Sequence, residues 1–204
     1  MSQTPRLPAP GNIIELRHCP KNPWPLGDQR LIAQGSLTAQ GELQDATGEP
    51  DWMLAVASVE HTGQLPLNEG FERTTTVILG EVLQVVTDSP HAVERYRPLR
   101  LDAGVPASAE LPTGDVLTLQ LLTRRGKVRG SVRVLELSKQ REQYLFDGQL
   151  ALLTEGKASF SAGDGTVQEL AVRDVLLGGD AAEVRIKGRG MLLLVSLDPD
   201  ARES

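Results

Sequence analysis

With a single cysteine, Cys19, the 204-residue chain cannot form an internal disulfide, and nothing in it asks for an oxidising compartment. Histidine is scarce too: His18, His61 and His91 are the full set. Seven aromatics leave the core to Leu, Val, Ile and Ala. No apolar run approaches the roughly 20 residues of a membrane helix. The opening MSQTPRLPAPGN is broken by prolines and lacks the apolar segment of a signal peptide. A net charge of −6 argues against nucleic acid or an anionic membrane as partner. Arg124, Arg125, Lys127, Arg129 and Arg133 do cluster, but without interleaved aromatics, and they read as a hairpin end in water. The expectation is a cytoplasmic protein with neither nucleic acid nor membrane as partner.

What the chain has in quantity is short β-type runs between Gly, Pro and Asp turns. Residues 1–11 read as a disordered lead-in and 199–204 as a tail. Asn12–Arg17 is a strand candidate. The segment KNPWPLGDQR around Trp24 holds too many prolines for regular structure. Leu31–Ala33 is a further short candidate. From Trp52 the signals are dense: Leu54, Val56 and Val59 with alanines between them, then Thr74–Leu79 and Val82–Thr87 around Gly80-Glu81, which reads as a tight hairpin. In Val116–Thr123, period-two alternation puts Leu117, Leu119 and Leu121 on one face and Thr118, Gln120, Leu122 and Arg124 on the other. Val128–Leu137 follows. In the last third, Leu150–Thr154 and Lys157–Ser161 flank a Glu155-Gly156 turn, Gly163–Gly165 is another turn, and Glu183–Ile186 and Met191–Leu197 close the chain. A helix of three turns is nowhere suggested.

An offset of about 75 residues places TVILGEVLQVV over ALLTEGKASFS and PTGDVLTLQLL over IKGRGMLLLVS. Evenly spaced short strands in a duplicated unit predict an all-β fold of two fused jelly-roll barrels, a bicupin of the RmlC-like cupin fold. The expected division is 12–122 and 123–198, packed as one unit because no Gly/Ser- or Pro-rich linker separates them.

Several residues occur in an order and spacing that resemble the HutD/Ves family, bicupin proteins associated with histidine utilisation. They are Trp24 in its loop, the Trp52 strand with Ala57 and Val59, Gly63, Gly70-Phe71-Glu72-Arg73 at the family's Gly-x-Asp-Arg, and Thr123-Arg124-Arg125-Gly126 at its Thr-Arg-Arg-Gly. The resemblance spans about residues 12–198. It implies a ligand-binding or regulatory protein, with formiminoglutamate-like molecules as proposed ligands and no established reaction. The chain departs from the pattern at Trp24-Pro25-Leu26-Gly27-Asp28-Gln29, where the family has Trp-Lys-Asn-Gly-Gly-Gly. Met53 and Ala55 stand where it has Arg and Ser, and Thr118-Leu119-Gln120 where it has Asp-Leu-Asn.

Metal-dependent cupins need closely spaced His and Glu ligands, and no two of the three histidines lie within two residues. The chain is therefore expected to hold no metal and no cofactor. Cys19 is followed by Pro20 in a loop, no Gly-x-Ser-x-Gly turn exists, and Asp198 and Asp200 read as solvated. Arg73 and Arg124 are the better candidates, since a guanidinium suits bidentate capture of a carboxylate. A Glu72–Arg73 clamp and a solvated hairpin end are their respective structural alternatives. The expected ligand-binding set is Arg73, Gln120, Arg124, Trp24, Trp52 and Glu60, with a small-molecule carboxylate such as an N-acyl or formimino amino acid as ligand. A metal-independent isomerase or hydrolase using Glu60, His61 or Glu72, and a ligand-free interaction scaffold, remain alternatives. Homodimerisation is left open.

Overall fold

The computed structural model describes residues 6–163 and 165–200. The first five residues of the lead-in, the middle residue of the Gly163–Gly165 turn and the last four residues of the tail lie outside the described residues. As expected, the fold is all-β. In chain order the strands are β1 (Ile13–Ile14), β2 (Lys21–Trp24), β3 (Gly27–Leu37), β4 (Leu43–Gln44), β5 (Trp52–Val59) and β6 (Gly63–Gln64). Then follow β7 (Phe71–Leu79), β8 (Val82–Val86), β9 (Pro90–Glu94), β10 (Leu99–Asp102), β11 (Ser108–Glu110) and β12 (Val116–Arg124). The last third supplies β13 (Val128–Leu137), β14 (Gln143–Leu145), β15 (Gln149–Ala162), β16 (Thr166–Leu170), β17 (Val175–Leu177) and β18 (Val184–Pro199). A single 3-10 turn, Leu16–His18, is the one helical element among the described residues.

Three sheets stack in layers. A large sheet runs β10-β7-β12-β5-β3-β2, with β4 beside β3, and a smaller one runs β6-β11-β8-β9. Leu26, Val59, Leu65, Val77, Leu83, Val85, Val93, Ala109 and Val116 fill the space between these two. The third sheet, β1-β17-β15-β18-β13 with β14 and β16 attached, holds the C-terminal half. It packs on the other face of the large sheet: Trp52, Leu54, Val56, Leu119 and Leu121 meet Leu150, Leu152, Leu193, Val195 and Leu197. The intervening residues Ala151, Leu153, Leu192 and Leu194 point the opposite way, into a separate core with Phe160, Leu176, Val184 and Ile186. Period-two alternation explains why the continuous run Met191–Leu197 is apolar throughout: both of its faces are covered.

Several local expectations are corrected. The proline-rich segment around Trp24 forms β2, a hairpin partner of β3, with Pro23 tolerated because β2 is an edge strand. The candidate Leu31–Ala33 is the middle of the eleven-residue β3, whereas Asn12–Arg17 yields only two paired residues before the 3-10 turn. Gly80-Glu81 does not close a hairpin. β7 and β8 lie in different sheets, and the turn carries the chain from one to the other. Gly80 has φ +91, and a Cβ there would meet Val116 Cγ1 at 2.8 Å. Glu155-Gly156 is not a turn either, because β15 runs through it with a bulge after Leu153, just as β18 runs through Gly188 and Gly190. They are backbone contacts: a Cβ on Gly156 would collide with the carbonyl oxygen of Arg189. Within the lead-in, Leu7 packs against the central core and Gly11 N–H bonds to the Leu177 carbonyl, so ordered chain begins before residue 12. β1 joins the C-terminal sheet by pairing with β17.

Candidate functional site

The inner face of the large sheet, towards the small one, carries an unusual set of side chains. Register sets Ala55, Gln120 and Thr75 side by side across β5, β12 and β7, with Ala57, Thr118 and Val77 in the next row and Met53, Leu122 and Arg73 in the row beyond. Gln120 is buried, and its amide uses one of its two N–H donors and one of its two acceptor positions. Thr75 Oγ1 donates to its Oε1 at 2.9 Å, and its Nε2 donates to Thr118 Oγ1 at 2.9 Å. Thr118 Oγ1 in turn donates to the Ala57 carbonyl at 3.0 Å. This relay ties three strands together and fixes the orientation of the amide. Beside it, the alanines of β5 contribute almost no side-chain volume.

Arg73 is the outlier. It is 9% exposed, and burial alone pushes its guanidinium pKa down. Its Nη2 donates to the Pro66 carbonyl at 2.5 Å, in the segment that leaves β6. Among the described residues no carboxylate pairs with it. The neighbouring Glu72 belongs to the opposite strand face and pairs with Arg100, so the Glu72–Arg73 clamp does not form. A buried guanidinium whose counter-charge is missing is costly, and it has five N–H donors to place. An anion would satisfy those that Pro66 does not.

The remaining expected residues are distributed differently. Arg124 shares the strand face of Gln120 but sits at its end, half-buried over the Phe71 ring at 4.6 Å. Its guanidinium is already compensated by Glu49 at 2.9 Å and Asp51 at 3.3 Å, which fastens the 49–51 loop. Trp24 is half-buried against the core between the two N-terminal sheets and donates from Nε1 to the Ser58 carbonyl at 2.7 Å. Glu60 is exposed and accepts from Ser58 Oγ at 2.7 Å. Trp52 is fully buried on the other face of the sheet, against the C-terminal half, with Nε1 donating to the Ser36 carbonyl at 3.3 Å. The structure therefore brings Arg73 and Gln120 together on one face and places Trp52 elsewhere. Thr75 and Pro66 were missed by sequence reasoning. Thr75 could have been found, because it lies two residues from Arg73 in a strand; Pro66 gave no signal. Among the described residues no group of three or more His, Cys, Asp and Glu side chains is placed to hold a metal ion.

The HutD family model matches residues 33–194. The chain belongs to the HutD family. Protein Ves from Citrobacter koseri is 29% identical over 94 residues, a stretch covering 45% of this chain and 49% of that protein. The matched region thus spans about half the length of that curated relative. The solved structure of HutD from Pseudomonas fluorescens superimposes with a TM-score of 0.72 at 17% identity, covering 92% of this chain and 98% of that one. A cupin 2 conserved barrel domain protein from Leptotrichia buccalis gives 0.55 at 8% identity, with coverage of 94% and 92%. The all-β jelly-roll architecture is accordingly that of cupins. In this HutD-family chain, the face bearing Arg73 and Gln120 is the side of the large sheet turned towards the small one.

Proposed function

We propose that this HutD-family chain is a cytoplasmic binding or regulatory protein that takes up a small carboxylate, without a metal, inside its N-terminal half. The observation that carries this reading is Arg73: a buried cation with no acidic partner among the described residues. The amide of Gln120, held by Thr75 and Thr118, is the second recognition group. A buried guanidinium beside an oriented amide suits a molecule with one carboxylate and one amide-like group, hence an N-acyl or formimino amino acid. Arg124 acts at the rim by holding the 49–51 loop, and Trp24 closes the β2 edge of the large sheet. Binding is favoured over turnover because the candidate acids are occupied, Glu60 by Ser58 and Glu72 by Arg100. The same reading includes duplication: β7/β12 and β15/β18 are adjacent antiparallel pairs at the sequence offset of the internal repeat. It takes 12–122 and 123–198 as two barrels packed into one unit.

The test is calorimetric titration of the full chain with acetyl-, formyl- and formimino-amino acids, including N-formiminoglutamate. Saturable one-to-one binding of at least one member is expected. No heat across the panel would favour the scaffold alternative.

A further inference from the structure

A concentration of cations lies far from the chemistry above in the chain, on the C-terminal half. Where β15 and β18 cross their glycines, a cavity of about 580 Å³ opens, lined by Lys139, Lys157 and Lys187 with Gly156 and Gly188. An adjoining space of about 400 Å³ shares Lys139, Gly156 and Lys157 and adds Arg189. Three of the five lysines of an acidic chain therefore face one groove. Register sets Lys157 directly opposite Arg189 on the neighbouring strand. Like charges in that position repel unless something lies between them. Among the described residues no carboxylate pairs with Lys139, Lys157 or Arg189, and Lys187 reaches Glu142 only at 3.8 Å. Of the carboxylates in the wall, Glu155 is taken by Arg95 at 3.0 Å, which leaves Glu169 against Lys139, Lys157 and Arg189, while Lys187 is shared with Glu142. The groove floor is bare backbone by steric necessity, since a Cβ at Gly156, Gly188 or Gly190 would strike the carbonyl oxygen of the facing strand. The adjacent bulge is the kind of irregularity that re-aims side chains at sites.

We propose that this groove binds a small multivalent anion bearing phosphate groups. Lysine ammoniums are compact point charges suited to phosphate, whereas planar carboxylate recognition favours guanidinium forks. A volume of about 580 Å³ lies within the usual range for small-molecule sites. The site is independent of Arg73, because none of its lining residues belongs to β5, β7 or β12.

The experiment is titration of the full chain with pyrophosphate at low ionic strength, with citrate as the polycarboxylate arm. Saturable binding of pyrophosphate is expected, tighter than citrate and weakening as salt rises. Lys157→Gln and Arg189→Gln should each weaken it about fivefold, or about 1 kcal/mol, and the double variant should abolish it. Both positions are exposed, so unfolding midpoints should not move. Arg73→Met should leave pyrophosphate binding unchanged. Absence of saturable pyrophosphate binding, citrate binding more tightly, or unchanged affinity in the double variant would each overturn the proposal.

Discussion

The interior of the N-terminal half and that of the C-terminal half differ in their chemistry. In each, a pair of long antiparallel strands forms the middle of a sheet, β7/β12 in one and β15/β18 in the other. The C-terminal interior is closed by Leu153, Phe160, Leu176, Ile186, Leu192 and Leu194, apolar throughout. The N-terminal interior instead holds Arg73, Thr75, Thr118 and Gln120 of β7 and β12, four of the nine buried polar or charged residues found among the described residues. The apolar interior gains free energy from burial, at about 25 cal/mol per Å². The polar one gives up part of that gain and keeps groups that can recognise a ligand. Under the proposed function, binding resides in a few of these side chains, and each interior can be altered to test it.

Truncating the apolar interior should have the largest effect on stability. Phe160→Ala, at a position 2% exposed, should cost about 3–5 kcal/mol in urea denaturation. A loss below about 1 kcal/mol would mean the C-terminal interior is loosely filled. Converting the other interior to the same chemistry comes next. Gln120→Leu strands the Thr75 hydroxyl and takes one of two partners from the Thr118 hydroxyl, which keeps its bond to the Ala57 carbonyl. It should cost about 1–3 kcal/mol, whereas adding Thr75→Val and Thr118→Val should recover most of it. If the triple variant is less stable than the single one, the relay does more than satisfy its own members. Smaller still is Thr76→Val. Thr76 Oγ1 is buried between the halves without a hydrogen-bond partner among the described residues, so removing it should stabilise the protein by about 1 kcal/mol.

Asp174 offers a pH-dependent counterpart at the edge of the C-terminal sheet. Burial raises its pKa, opposed by a hydrogen bond from the Leu16 N–H. With a folded-state pKa above the unfolded one, the folded protein binds more protons in the window between them. Its contribution is thus fully present below the ordinary aspartate range and is lost as pH rises through the folded value. Asp174→Asn should flatten that segment of the profile, measured as the wild-type minus variant difference in denaturation midpoint. A difference that grows with rising pH would reverse the sign of this assignment.

How much of this was legible in the sequence follows from which signals were local. Alternation in Val116–Thr123 put Thr118 and Gln120 on one face, and the register agrees. The glycines of β15 and β18 misled, because a glycine that frees the chain to turn and one that lets two backbones touch look the same without the partner strand. Gly80-Glu81 was a true turn, yet it joins two sheets, and no residue within it reports its destination. Arg124 looked as open to a ligand as Arg73 did. Glu49 and Asp51, some 75 residues away in the chain, compensate the former, while nothing comparable among the described residues reaches the latter. Ion pairing between distant segments is set by tertiary structure and leaves no mark on local pattern.

The sharpest measurement is therefore Arg73→Met, followed in parallel by denaturation of the free protein and by calorimetry with whichever acylated or formimino amino acid the wild type binds. Replacing an uncompensated buried charge by an apolar side chain of similar length should leave the free protein at least as stable. Binding should weaken by about 2–5 kcal/mol, while Arg124→Ala should change it by less than about tenfold. A destabilised Arg73→Met protein that binds with wild-type affinity would contradict the account, and would mark Arg73 as a structural tether to Pro66.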